Sequence, residues 1–240
     1  MFEVIPYGSQ AWLVNFEQII DPEIHAQVLS VKTMVEVKLS EPIAFLIPAY
    51  ASLTIGFETE KAGKAIYDYL QGLKETSLPH HIRRQGNIWK IPVCYEAPFA
   101  LDKDAIQALT GLLWEEVVHM HTGEKYQVYM LGFRPGFGYM GKLPDRISLP
   151  RKQTPRLQVP GCSVGIAGSQ TGIYPVEAPG GWQIVGRCPI SPFQPQEEDP
   201  FWFSVGDTVQ FEAVTEATYQ DWQAVYQAGN WQKEMWYEEG

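Results

Sequence analysis

Glycine is concentrated in one part of this chain, since eleven of its 21 glycines lie between Gly132 and Arg187. Because glycine has no side chain, it allows tight turns and a close approach of one backbone to another. Helical periodicity is absent from this part, and short β-prone runs alternate with turns that contain glycine and proline. The pattern predicts a β-barrel or sandwich with long ordered loops.

The glycine-rich part also carries positive charge, with five arginines and two lysines against Asp145 and Glu177, in a chain whose net charge is −10. The cations are Arg134, Lys142, Arg146, Arg151, Lys152, Arg156 and Arg187. Planar guanidinium groups bind anions, and aromatic side chains can form the walls of a ligand site. We therefore interpret this part of the chain as the lining of a concave site for a negatively charged small molecule.

The composition narrows the class of protein. With 240 residues, of which 45% are hydrophobic, the chain can form one large domain or two modest ones. Its negative charge argues against nucleic acid or an anionic membrane as a general partner. Three widely spaced cysteines without a C-x-x-C pair fit reduced thiols better than a disulfide framework. Neither a signal-peptide pattern nor a membrane-spanning apolar run is visible, so we expect a soluble, cytoplasmic protein.

The first part of the chain predicts a small α+β domain over residues 1–85, built from two strand–helix passes. Asp21-Pro22 offers a helix N-cap followed by proline at the first helical position. A polar loop is expected over 74–86. The predicted strands are 2–7, 11–16, 44–47 and 52–57, and the predicted helices are one that begins at Pro22 and one over 58–73.

A second domain, a β-barrel or sandwich with a C-terminal helical tail, is expected over residues 86–240. The tail helix carries aromatic residues and has to dock either on this chain or on a partner. The predicted strands are 87–95, 125–133, 163–167, 181–187 and 208–212, and the predicted helices are 102–111, 113–121 and 216–226.

Two nucleotide-binding motifs match the sequence by letter only. Gly136, Gly138 and Gly141 spell G-x-G-x-x-G after a predicted strand, and Gly136 to Lys142 spells G-x-x-x-x-G-K. The first motif needs a helix that begins there, and the second needs Ser or Thr where Leu143 stands. Pro144 follows at once. We interpret the segment as a glycine-rich turn that shapes a pocket wall.

His119 and His121 lie close together at a predicted helix end. Their spacing does not by itself define a metal site, because no third ligand is evident. A histidine at the mouth of a pocket could carry a proton, since its ordinary pKa lies near neutrality. A hydrogen-bonded structural histidine remains the alternative.

Several other side chains are candidates for ligand contact. Arg151 and Arg156 each follow a proline, which fixes the local backbone and aims the side chain at a carboxylate or phosphate, and a solvated loop charge is the alternative. Gln170 and Thr171 suit hydrogen bonds to an amide or carbonyl. Tyr174 and Trp182 could stack on a flat ligand or pack the barrel. The remaining candidates, Ser163, Ser169, Cys162 and Cys188, have no nucleophile motif around them, and buried spectator thiols explain both cysteines.

Four strings of residues resemble one known family. They are GFRPGFGYMGKLP, the run from Pro150 to Pro160, SVGIAGSQTGIYP and APGGWQIVGRCP. They resemble the allophanate hydrolase subunit 1 family, which includes the kinase inhibitor KipI and the B subunit of bacterial 5-oxoprolinase. Where members commonly have a glycine pair this chain has Tyr95-Glu96-Ala97-Pro98, and Cys162, Ala178 and Cys188 also depart from the usual pattern.

The resemblance implies a small N-terminal α+β domain followed by a cyclophilin-like β-barrel. It also implies two partners, the cyclophilin-like C subunit and the A subunit of 5-oxoprolinase, with which the assembly opens 5-oxoproline to glutamate at the expense of ATP. ATP is then expected on a partner or at an interface, and no metal site is expected. The alternatives within the family are an inhibitor of a sporulation histidine kinase and a carboxyltransferase-type subunit of a urea carboxylase or allophanate hydrolase system.

Roles for individual residues follow from the resemblance. His121 and Arg156 are expected to take part in catalysis, His121 as a proton relay and Arg156 by stabilising negative charge. Gln170 and Thr171 are expected to hydrogen-bond the ring amide. The expected substrate-binding set is Arg134, Phe137, Arg151, Gln170, Thr171, Tyr174, Trp182 and Arg187.

Overall fold

The computed structural model describes residues 2–40, 42–74 and 86–238. The chain divides into two compact units, Met1–Arg84 and Gln85–Gly240. Most of the polar loop that the sequence predicts over 74–86 lies outside the described residues.

The first unit is one antiparallel sheet with two helices, and its strand order is β1-β2-β4-β3. Helix α1 begins where the sequence predicts, because the Asp21 carboxylate accepts the backbone N–H groups of Glu23 and Ile24. The core lies between the sheet and both helices, with Val28, Leu53 and Ile66 fully buried. The elements are β1 (Glu3–Pro6), β2 (Ala11–Asn15), α1 (Pro22–Lys38), β3 (Ile43–Pro48), β4 (Ser52–Phe57) and α2 (Glu60–Lys74).

The second unit is a closed barrel of seven strands in the order β12-β9-β10-β7-β6-β13-β5, with β5 pairing back onto β12. The β5–β13 pair is parallel, and the other barrel pairs are antiparallel. The elements are β5 (Ile88–Cys94), α3 (Lys103–Thr110), α4 (Trp114–Thr122), β6 (Lys125–Leu131), β7 (Gly138–Gly141), β8 (Arg156–Val159), β9 (Ser163–Ala167), β10 (Gln170–Ile173), β11 (Ala178–Gly180), β12 (Gln183–Arg187), β13 (Thr208–Val214), α5 (Glu216–Gln227) and β14 (Tyr237–Glu238).

Side chains alternate between the inside and the outside of the barrel. Ile91 and Val93 of β5 and Val164 and Ile166 of β9 belong to the main core. Because successive strand residues point to opposite faces, Cys94 and Ser163 lie on the outer face. The outer face is therefore the wall on which polar groups of the glycine-rich part can gather.

A second, smaller hydrophobic cluster lies outside the main core. It joins Phe137, Tyr174 and Trp182 to Ile184 of β12 and to Val159 of the two-stranded β8–β11 sheet. Glycines make this packing possible: a Cβ on Gly172 would lie 2.7 Å from the Gly138 carbonyl oxygen, and one on Gly180 would collide with the Tyr174 hydroxyl. These two glycines serve close packing of the aromatic cluster.

The C-terminal tail docks on its own barrel unit, which is one of the two outcomes that the sequence left open. Trp236 is buried and packs edge-on against Trp202 and against Trp222 of α5. Strand β14 then pairs with β5. The tail is therefore an integral part of the second unit.

The predicted fold class, α+β with a barrel in the second part, is confirmed. The short strands β7, β8, β10, β11 and β14 were not predicted, because they are only two to four residues long and too short to show periodicity. The letters of the G-x-G-x-x-G motif end in strand β7, so this segment does not form the helix N-terminus on which a pyrophosphate would rest. Among the helices of the described residues, none combines the length and apolar character needed to cross a membrane.

Candidate functional site on the outer barrel face

Three predicted site residues, Arg134, Arg151 and Tyr174, lie near Phe133 and Tyr139. We call these five residues the arginine–aromatic face. Phe133 is 56% exposed and packs edge-on against Tyr174, and the Arg134 guanidinium lies 5.9 Å from the Phe133 ring centre. Burial raises the pKa of Tyr174 to about 12, while the Arg151 charge acts in the opposite direction. Arg151 therefore lies near this phenol, and Arg134 and Arg151 are both exposed.

Phe137, Tyr174 and Trp182 are almost completely buried, at 1%, 2% and 4% exposure. Each ring meets the other two nearly at right angles, with centroids 5.3 to 6.5 Å apart. Such edge-to-face packing is the ordinary geometry of an aromatic core. Of the two interpretations of these rings, the structure shows the packing role, and ligand contact remains a prediction for them.

Arg156 belongs to a buried ion cluster, the Asp102 cluster (Asp102, Lys152 and Arg156). Its two terminal nitrogens donate to the two Asp102 oxygens at 2.8 and 2.7 Å, and Lys152 Nζ donates at 2.7 Å. The backbone N–H of Ile184 adds a fourth bond at 2.7 Å. Asp102 stands at the N-cap position of α3 but makes no cap hydrogen bond. Its carboxylate instead ties the loop before β8 to strand β12.

The Asp102 carboxyl is only 3% exposed, and burial alone would raise its pKa. The hydrogen bonds from Arg156, from the Ile184 backbone and from Lys152 outweigh that effect, so the pKa is lowered and the group is charged at neutral pH. The Arg156 guanidinium is thereby neutralised by a partner within this chain. Its predicted catalytic role stays a prediction, and the structure shows Arg156 as one half of an ion pair.

His121 lies inside the barrel, at 0% exposure, rather than at the mouth of a pocket as the sequence led us to expect. Its Nδ1 is 2.7 Å from the Tyr95 hydroxyl and its Nε2 is 2.9 Å from Thr171 Oγ1. Thr171 donates its own proton to the Gly165 carbonyl. Thr171 must therefore accept from Nε2–H, and Nδ1 must accept from Tyr95.

This hydrogen-bonded chain explains the charge state of His121. Burial lowers the pKa of the imidazole to about 3, so the ring is neutral across the physiological range. Every polar atom of the ring has a partner, which is the geometry of a structural histidine. Thr171 is likewise fully buried and occupied by this network, and its contact with a ring amide stays a prediction.

Arg187 occupies a third place on the outer face. Its guanidinium lies 5.5 Å from the ring centre of Phe99, and it is close enough to the Tyr219 hydroxyl of α5 to oppose the rise that burial causes in the pKa of that phenol. Ser163 stands directly opposite Arg187 in the β9–β12 ladder. We call this group the Arg187 cluster (Phe99, Cys162, Ser163, Arg187 and Tyr219).

The cysteine thiols are protonated at neutral pH. Burial raises the pKa of Cys162 to about 11 although the Arg187 charge opposes the shift. Burial also raises the pKa of Cys188 well above its usual range. Because the thiolate is the nucleophile, neither thiol is activated.

The predicted site residues are thus divided between the barrel core and three places on the outer face, and Gln170 lies half-buried at the start of β10. Sequence reasoning missed Asp102, Tyr95 and Tyr219. Asp102 lies 50 and 54 residues from its cationic partners, so sequence spacing held no signal for the cluster. Three cavities formed by described residues have none of the predicted arginines in their walls. Within the described residues no three His, Cys, Asp or Glu side chains gather as metal ligands would.

Comparison with known proteins agrees with this architecture. The chain is 34% identical over 230 residues to the B subunit of 5-oxoprolinase from Bacillus subtilis, which covers 91% of this chain and 95% of that protein. It is 44% identical over 122 residues to the B subunit of 5-oxoprolinase from Escherichia coli O157:H7, covering 51% of this chain and 56% of that protein. The crystal structure of the K. lactis urea amidolyase shares the fold, with a TM-score of 0.78 at 21% identity, over 96% of this chain and 16% of that one.

The family match extends over both units of the chain. Residues 2–203 match the family described as carboxyltransferase domain, subdomain C and D. This range contains the first unit, the Asp102 cluster, the arginine–aromatic face and Arg187, whereas α5 with Tyr219 follows it. The chain therefore belongs to the carboxyltransferase domain subdomain C and D family.

Proposed function

We propose that this chain is the B subunit of an ATP-dependent 5-oxoprolinase, which opens 5-oxo-L-proline to L-glutamate together with the A and C subunits. The observation that carries the proposal is the 34% identity to a protein of that name over 95% of its length. Two further relatives with the same name are 44% and 42% identical over about half of this chain.

The chemistry of the reaction fits a cationic surface. The substrate is a lactam with a carboxylate, and its amide carbonyl must be activated before water can attack. Transfer of the terminal phosphoryl group of ATP to the carbonyl oxygen creates an activated intermediate with additional negative charge. Positioned guanidinium groups stabilise such charge in the transition state. Water then releases phosphate and opens the ring, so that one ATP and two waters yield glutamate, ADP and phosphate.

We assign a role to each residue from its exposure and its partners. Arg134 and Arg151 are exposed on the arginine–aromatic face, and they are the residues we assign to the phosphoryl group or to a nucleotide held by a partner. Arg156 is engaged by Asp102, and we assign it to positioning the loop that carries Arg151. Gln170 remains our candidate for a hydrogen bond to the ring amide. His121 is fully buried and neutral, and we assign it to the stability of the barrel.

The test is glutamate release from 5-oxoproline and ATP by the reconstituted A, B and C subunits. We expect full activity only when this chain is present. An unchanged rate after its omission would refute the enzyme proposal. Arg151→Gln should reduce kcat by about a hundredfold or more, since an arginine that contacts a transferring phosphoryl group contributes about 3 kcal/mol or more. The matched control is Arg146→Gln, which removes another exposed arginine of the same part of the chain.

The carboxyltransferase alternative is supported by the family description alone. It predicts transfer of a carboxyl group from carboxylated biotin to a urea-like acceptor. Labelled bicarbonate distinguishes the two reactions, because 5-oxoproline opening incorporates no carbon from it. Label in the product would favour the alternative. Inhibition of a histidine kinase remains a prediction from the resemblance.

A further inference from the structure

The Arg187 cluster contains hydrogen-bond donors without acceptors. Arg187 Nε and Ser163 Oγ are buried and have no hydrogen-bond partner among the described protein groups. Ser163 is 0% exposed. The Tyr219 hydroxyl accepts from Gln223 Nε2 and lies near the Arg187 charge, so its own proton is available to donate.

These donors converge because of strand register. Arg187 of β12 pairs with Ser163 of β9 on one side and with Cys94 of β5 on the other. Residues directly opposite in an antiparallel ladder point to the same face, which here is the outer face. Tyr219 of α5 reaches the guanidinium from the helix that covers this face. Residues with donor groups from three elements therefore neighbour one another on this face.

The charge of Arg187 is not balanced within the described part of the chain. No carboxylate there lies within ion-pair distance of its guanidinium, in contrast to Lys152 and Arg156. Glu96 and Glu216 are near enough to influence the adjacent Cys94 thiol, but they form no ion pair with Arg187. Phe99 lies against the guanidinium, and the Nε–H has no acceptor among the described protein groups. A partly buried cation with unsatisfied donors is costly unless an anion pairs with it.

We propose that the Arg187 cluster binds the carboxylate of a small anionic substrate, with Arg187 Nε–H, the Ser163 hydroxyl and the Tyr219 hydroxyl as donors. A carboxylate fits better than a phosphate dianion, because the cluster supplies one positive charge and has Glu96 and Glu216 close by. The planar fork of arginine also matches the planar carboxylate. The identity of the substrate as 5-oxoproline rests on the proposed function, whereas carboxylate binding does not.

The experiment follows the Arg187 Nε–H resonance of the isotopically labelled full chain by NMR. The probes are acetate, 5-oxoprolinate, inorganic phosphate and 2-pyrrolidinone, which is the same ring without its carboxylate. We expect acetate and 5-oxoprolinate to shift the resonance saturably and 2-pyrrolidinone to leave it in place. A resonance that moves with none of the anions, or that saturates with phosphate more tightly than with either carboxylate, would overturn the assignment.

Variants identify the donors. Ser163→Ala and Tyr219→Phe should each weaken carboxylate binding about tenfold, since a hydrogen bond to a charged group contributes about 1.5 kcal/mol or more. Arg146→Gln serves as the control and should bind acetate like the parent chain. Both donor variants remove a single oxygen, and their circular dichroism and unfolding midpoint verify the fold. Unchanged affinity in both folded variants would contradict the cluster.

The reconstituted enzyme separates this inference from the proposed function. Ser163→Ala should raise KM for 5-oxoproline with a smaller effect on kcat. If the assembly is inactive but acetate still binds at Arg187, the carboxylate site stands and the proposed function fails. If the assembly is active and KM does not change in Ser163→Ala or Tyr219→Phe, the function stands and this carboxylate site is not the substrate's.

Discussion

Arg156 and Arg187 provide two different environments for the same side chain on the outer face of one barrel unit. Arg156 meets the buried Asp102 carboxylate through two parallel hydrogen bonds. Arg187 meets a phenol and an aromatic face, and the described residues offer it no carboxylate. The position of an arginine in a motif therefore does not reveal its role. The presence or absence of an internal counter-charge does.

The contrast between Arg156 and Arg187 depends most strongly on the Asp102 carboxylate. Asp102→Asn keeps the shape of the side chain but removes the one negative charge that pairs with both Lys152 and Arg156. We expect the free energy of unfolding of the barrel unit to fall by about 2–4 kcal/mol, somewhat less than for a fully buried pair because both cations are partly exposed. Urea unfolding followed by tryptophan fluorescence measures it, since seven of the eight tryptophans lie in residues 86–240.

The control for this measurement is Glu238→Gln, which removes one partner of the exposed Lys90–Glu238 ion pair of the same unit. Its unfolding midpoint should remain close to that of the parent chain. If Asp102→Asn behaves like this control, the Asp102 cluster is not structural and the contrast with Arg187 disappears.

His121 differs from both arginines, because it avoids the cost of a buried charge by staying neutral. A pH titration of the free energy of unfolding tests this. Its folded pKa is about 3, well below the ordinary value of about 6.5. The unfolded chain therefore binds this proton first as the pH falls, and stability that is complete above about pH 6.5 is lost below it. Between about pH 6 and pH 4 the free energy of unfolding should fall by about 1.4 kcal/mol per pH unit from this group.

His119→Gln is the matched control, because His119 is exposed on the same helix. It should leave the acid dependence of unfolding unchanged, whereas His121→Gln should flatten it. Equal acid dependence in both variants would mean that His121 is accessible to protons in the folded barrel.

Thr171→Val and Ser163→Ala compare a hydroxyl group that has hydrogen-bond partners with one that has none among the described protein groups. Thr171→Val leaves His121 Nε2–H and the Gly165 carbonyl without their partner. We expect a loss of about 1–3 kcal/mol in the free energy of unfolding. Ser163→Ala removes a hydroxyl that has no partner among the described protein groups and should cost much less. Similar losses in the two variants would show that the Ser163 hydroxyl is already satisfied.

The smallest effect on stability is expected for Arg187→Gln. Because Arg187 forms no ion pair with a described residue, we expect a change of less than about 1 kcal/mol in the free energy of unfolding. Carboxylate binding should nevertheless be lost in the same variant. A large destabilisation would place Arg187 with Arg156 as a structural cation.

Much of the fold was readable from local patterns. The Asp21 cap, the helical spacing of α1 and the β-prone runs of the barrel all involve residues near one another in the chain. The Asp102 cluster was not readable, because its ion pairs connect residues 50 and 54 positions apart. The alternation of glycine and aromatic residues was misleading in one respect, since Gly172 and Gly180 make room for neighbouring protein groups.

The α+β fold class, the barrel in the glycine-rich part and the family of the chain were all predictable from sequence patterns. These features depend on hydrogen-bonding periodicity, on turn propensity and on strings of residues that resemble those of the family. All three are local properties of a chain. The ion pairs of Lys152 and Arg156, the burial of His121 and the donors without acceptors became visible only in the tertiary structure. Charge compensation and burial depend on contacts between distant residues, and the packing of strands, helices and loops brings those residues together.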